Sequence, residues 1–136
     1  MEPGRSHHQF FDGSLYGNEI EGLSSYRMPK LVFCNSCQSG ESSISKEITG
    51  NTSLASSYLK AGAESSIGTI WTVSDSGSAS ISSDIYRYLL FGSTVGEALL
   101  WAKRNSFKRR SFHDPVWISF ILFGDPRMRL VNRNKV

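Results

Sequence analysis

Three short strand-like runs constrain this chain more than any other feature: residues 31–36 (LVFCNS), 65–73 (SSIGTIWTV) and 116–124 (VWISFILFG). Each is short for a buried helix, and β-branched and aromatic residues are concentrated in them. Between the runs the apolar period changes to that of a helix. Residues 53–61 carry Leu54, Tyr58 and Leu59. A second helix, capped by Asp75 or Ser76, runs through Ile81, Ile85, Tyr88 and Leu89 and stops at Phe91-Gly92. Thr94-x-x-Glu97 is a capping box that opens a third, with Val95, Leu99 and Ala102 inward. Residues 14–25 read as a short helix with Ile20 and Leu23 on one face. Strands that alternate with helices predict parallel crossovers in a layered α/β architecture.

Three strands are few for a parallel sheet covered on both faces. The expectation is therefore one domain, residues 1–136, forming the C-terminal part of a three-layer sandwich with a mostly parallel sheet. Further strands would come from an N-terminal portion or another chain. A hydrophobic content of 39% suits such a domain. No segment reaches the roughly 18 apolar residues of a membrane span, and the N-terminus has no apolar stretch of the signal-peptide kind. A cytoplasmic chain without membrane contact is expected.

Two cysteines, Cys34 and Cys37, make no disulfide framework and agree with a reducing compartment. A zinc site would need further ligands, and His7, His8 and His113 lack the spacing for one, so neither metal nor cofactor is expected. The net charge of +3 gathers in KRNSFKRR, Lys103 to Arg110, and in the tail from Arg127 to Lys135. The first cluster ends a helix, where the dipole favours cations. It reads as a solvated face or docking surface without an aromatic-interleaved stripe, so direct nucleic-acid contact is not expected.

In open α/β sheets, sites collect at the carboxyl ends of the strands. The first strand ends in Cys34-Asn-Ser-Cys37-Gln-Ser-Gly40, the second in Trp71-Thr-Val-Ser-Asp75. Cys34 follows a core strand and is expected to face inward as a small apolar residue. Cys37 lies past the strand, beside Ser39 and Gly40, where the backbone can turn and its N–H groups can face a substrate carbonyl. A redox C-x-x-C would need its first cysteine exposed at a helix N-terminus, which the apolar run before Cys34 opposes.

The segments LVFCNSCQSG, LASSYLKAGAESSIGTIWTVSD and DPVWISFILFGDP, in that order, resemble the CHAT domain over about residues 31 to 126. This caspase-like peptidase module is often found behind TPR repeats and in CRISPR-associated assemblies, and separases share its W-x-V-x-D element. The resemblance implies a Cys–His dyad with Cys37 as nucleophile. The family's histidine sits in an H-G-x-F-D-like loop, which His8-Gln9-Phe10-Phe11-Asp12 resembles, with Gln9 in the glycine's place. His7, or a base from outside this chain, is the alternative to His8. Asp75 and Trp71 would line an S1 pocket for a basic side chain, or else cap a helix and fill core. Asp125 reads as a turn residue and His113 as structural. The implied function is an endopeptidase acting on a protein partner under an N-terminal sensor or TPR region. The alternative is a catalytically incomplete interaction or regulatory module, which Gln9 and the short approach from His8 to Cys37 favour.

Overall fold

The computed structural model describes the backbone of residues 7–10 and the whole of residues 12–34, 54–71, 73–110 and 114–132. Strands β1 (His7–Phe10) and β2 (Gly13–Tyr16) form an antiparallel hairpin. Helix α1 (Gly17–Gly22) follows, then a turn of 3-10 helix (Leu23–Ser25), β3 (Leu31–Phe33), α2 (54–60) and β4 (Ser65–Thr69). The chain continues through α3 (Asp75–Leu90), α4 (Val95–Arg110), the single turn α5 (Val116–Ser119) and β5 (Phe120–Gly124). The fold class is α/β, with a three-stranded mixed sheet ordered β3-β4-β5 and helices packed on it.

The helix expected from residue 14 begins at Gly17 instead. Residues 13–16 are held extended by their pairing with His7–Phe10, and the Glu19 carboxylate then accepts from the Tyr16 N–H at 2.7 Å, closing the first turn. β3 and β4 are parallel, as expected. β5 departs from the parallel expectation and runs antiparallel to β4, with Ser65 opposite Gly124 and Thr69 opposite Phe120. The cause is the number of crossings. One helix between two strands returns the chain to its starting end, whereas α3 and α4 together leave it at the opposite end.

The third run also splits, because Asp114 and Pro115 start a helical turn before the strand. Asp114 Oδ1 accepts from Val116 N at 3.2 Å, and proline is suited to the first turn of a helix. Hydrogen bonds from the Arg110 guanidinium and the Val116 N–H hold the Asp114 carboxyl below the usual carboxylate range.

The core lies between the sheet and the α3–α4 hairpin. Ile81, Ile85 and Leu89 of α3 meet Val95, Ala98 and Ala102 of α4, and none exposes any surface. Their four-residue spacing holds a helix together through a stretch rich in serine and glycine, where intrinsic propensity is low. Ser74, not Asp75 or Ser76, caps α3 by accepting from Gly77 N at 3.3 Å. Gly77 also sets the approach of α5. A Cβ there would lie 2.7 Å from Val116 Cγ2, so only glycine lets α5 close onto α3. Asp84 is buried on α3 and paired with Arg109 of α4, with Arg87 at 3.7 Å.

The capping box at Thr94 is present, with Thr94 N to Glu97 Oε2 at 2.8 Å and Glu97 N to Thr94 Oγ1 at 3.2 Å. The segment after β5 completes the cap. Pro126 O accepts from Gly96 N and Met128 O from Val95 N, each at 2.9 Å. Asp125 is a turn residue, as its position before proline suggests: Oδ1 accepts from Arg127 N at 2.9 Å. That N–H, with the Arg127 guanidinium, holds the Asp125 carboxyl below the usual range.

Candidate active site

The parallel pair β3–β4 brings two strand ends to one edge of the sheet. Phe33 pairs with Ile67, and Cys34 N extends the ladder by donating to Ile67 O at 2.8 Å. Beyond that point β4 continues through Thr69 toward Trp71, and Asp75 occupies the first turn of α3. The turn α5 reaches the same edge, where Ser119 O accepts from Ile70 N at 2.9 Å. Cys37 and Gly40, three and six residues past Cys34, lie outside the described residues, as does His113.

Cys34 is partly buried at the end of β3 rather than a residue of either core cluster. Burial pushes its pKa up to about 11, and a hydroxyl contact from Ser66 offsets only part of that. The neutral thiol is thus the favoured form in the fold. A group raised in this way stabilises the protein fully below its unfolded value, and that contribution disappears as pH rises from about 9 through about 11. Two results are expected for a Cys37→Ser variant. Iodoacetamide at pH 8 should leave Cys34 unmodified until denaturant is added, and the urea midpoint should fall between pH 9 and pH 11.

Trp71 is half-buried and packs against the main core cluster, so its body is structural while its position is at the strand edge. Asp75 is exposed in the first turn of α3, where a carboxylate is favoured by the helix dipole. The two therefore share the end of the sheet from which Cys34 leads toward Cys37.

His7, His8 and Gln9 are residues of β1. In the hairpin register His8 lies opposite Leu15 and Gln9 opposite Ser14. Leu15 packs against a second apolar cluster formed by Ile20, Leu54 and Ala61, and Tyr58 of α2 packs against the same cluster. Glu21 fastens α1 to α2 by accepting from Lys60 Nζ at 3.1 Å and Ser57 Oγ at 3.2 Å. Burial raises the Tyr58 phenol pKa, and the negative charge of an ionised Cys34 would raise it further. Apolar packing thus places the hairpin beside α2. Tyr58, which sequence reasoning placed only on a helix face, joins this cluster, as its spacing from Leu54 signalled.

Among the described residues no cluster of His, Cys, Asp and Glu could hold a metal ion, and no helix is long and apolar enough to cross a membrane. The family model described as the CHAT domain matches residues 2–125. No curated protein matches the chain.

Proposed function

The chain belongs to the CHAT domain family, which is related to caspase-like peptidases, and from that premise we propose a cysteine endopeptidase that cleaves a protein partner. Cys37 is its nucleophile and His8 its base. The observation that carries this reading is the placement of β1: His8 pairs with Leu15, and Leu15 packs on the same apolar cluster as Tyr58 of α2, the helix between β3 and β4.

The imidazole of His8 takes the Cys37 proton, and the thiolate attacks the scissile carbonyl. Backbone N–H groups of Gln9 and of the Cys37–Gly40 segment stabilise the oxyanion. The imidazolium protonates the leaving amine, and water then hydrolyses the thioester, releasing the acid and restoring the thiol. Asp75, charged and exposed at the strand edge, selects a Lys or Arg side chain, with Trp71 as the pocket wall. An N-terminal sensor or TPR region, or a CRISPR-type assembly, supplies regulation.

One observation favours the second reading, an interaction module without catalysis. His8 and Gln9 are paired strand residues, whereas a loop glycine would approach a substrate more freely.

The pH dependence of Cys37 alkylation separates the two. In the peptidase, Cys37 reacts well below the ordinary thiol pKa of about 8.5, and His8→Ala slows its reaction near pH 6 by about tenfold or more. An ordinary thiol profile that His8→Ala leaves unchanged would establish the second reading. Cys37→Ser identifies the signal, because Cys34 stays protonated across this range.

A further inference from the structure

Helix α4 carries two stripes. One, through Val95, Ala98, Leu99, Ala102 and Ser106, is buried in the fold. The other runs through Leu100, Trp101, Arg104, Phe107 and Lys108, a spacing that also suits one face of a helix. On this second stripe Leu100, Trp101 and Phe107 expose 47, 45 and 43% of their surface. Trp117 of α5 leans over its end and meets Phe107 edge to face, with ring centroids 5.3 Å apart. Together with Lys103 these residues line a groove of about 580 Å³. This corrects the expectation that the basic cluster lacks an aromatic-interleaved stripe. Trp101 and Phe107 do interleave with the cations, and Trp117 joins them only through the fold.

The cations of α4 divide into two sets. Arg109 and Arg110 are engaged internally, by Asp84 and Asp114. Among the described residues no carboxylate pairs with Lys103, Arg104 or Lys108, and none lines the groove. Lys103 is half-buried, and desolvation lowers its pKa, so a carboxylate arriving beside it would relieve an existing penalty. The floor is apolar and the rim is positive.

We propose that this groove docks an acidic amphipathic helix from a protein partner. Apolar side chains enter between Trp101 and Trp117, and carboxylates meet Lys103, Arg104 and Lys108. The lining from Leu100 to Lys108 covers roughly 12 Å of helix axis, which accommodates anchors about one turn apart, and tryptophan and arginine are the residues that most often dominate such contacts. The rings are poorly arranged for bases. Arg104 already lies over the Trp101 ring at 5.2 Å, and Phe107 and Trp117 engage each other, which leaves little flat surface for stacking.

The test uses the whole chain and a fluorescein-labelled peptide matching the 16-residue length of α4. The peptide carries Leu at i, i+3, i+4 and i+7, with Glu flanking that stripe. Anisotropy is expected to show saturable binding that weakens with salt, and about tenfold with Trp101→Ala. Reversing the rim with Lys103→Glu and Lys108→Glu should abolish binding of this peptide and create binding of its Lys-flanked counterpart, a swap that a misfolded variant cannot produce. The proposal is overturned if the Lys-flanked peptide or a single-stranded oligo-dT of equal length binds the unaltered protein at least as tightly. It is equally overturned if the Glu peptide ignores both sets of substitutions. Sedimentation showing a self-associated protein that Trp101→Ala turns monomeric would assign the groove to a second copy of the chain instead.

Discussion

Gly124→Ala lowers stability by about 4 kcal/mol in the expected result, a large fraction of what a domain of this size possesses. Two effects combine. Gly124 has φ +101, a conformation that disfavours any side chain, and its Cβ would stand 2.3 Å from Glu64 O and 2.9 Å from Ser65 Cα. Both are backbone atoms, so no rotamer change removes the clash. The same Glu64 carbonyl accepts from Asp125 N at 3.2 Å, and moving it would loosen the turn after β5. Urea unfolding followed by circular dichroism checks the expectation. Gly22→Ala, where an added Cβ meets nothing, serves as the reference and should change stability by a few tenths of a kcal/mol. A loss below about 1 kcal/mol at Gly124 would mean that β4 and β5 part more easily than this close approach implies.

Phe120→Ala is expected to cost about 4 kcal/mol and to alter the candidate site as well. Phe120 exposes no surface and opens β5 opposite Thr69. Its ring lies 6.0 Å from that of Phe33, which is also 5.6 Å from Tyr86. Phe33 is the residue before Cys34, so the cavity left by the alanine removes the floor beneath the end of β3. Cys34, the next residue along the strand, faces the other side of the sheet, so the loss reaches it through the loosened end of β3. The second measurable outcome is therefore faster alkylation of Cys34 at pH 8 in a Cys37→Ser background, under conditions where the protein is still folded. Loss of stability without any change at Cys34 would show that the end of β3 is held by other contacts.

Much of this architecture is written in local pattern. The capping box at Thr94, the stop at Phe91-Gly92 and the inward faces of α3 and α4 follow from side chains within one or two turns of each other. The apolar run before Cys34 signals that it is withdrawn from solvent, and the structure leaves it partly buried. The antiparallel β5 is harder to read. Its direction depends on counting helices between strands, and alternation alone suggests parallel pairing. The hairpin strand Gly13–Tyr16 is hidden for a different reason: Ile20 and Leu23 fix a helical face, and its pairing partner His7–Phe10 lies in a separate stretch that carries no strand pattern of its own. The α4 groove needs Trp117, sixteen residues beyond Trp101, and no window of local sequence joins them. For the dyad, the resemblance implies Cys37 and leaves the base between His8, His7 and a residue outside this chain. The described part of the chain adds the hairpin's position beside α2 and the protonated state of Cys34, neither of which a motif can supply.

The segment after β5 has a mechanical consequence. Met128 and Pro126 carbonyls hold the first turn of α4, and the Arg129 guanidinium donates to Gly92 O. Tension applied from residue 130 onward therefore meets α4 before it meets the sheet. The load enters at the Met128–Val95 hydrogen bond and passes into a helix whose inner face is wholly buried. Peeling β5 from β4, the weakest way to open a sheet edge, becomes available only after that joint has parted. A neighbour joined at this end could pull on the domain without first separating β5 from β4.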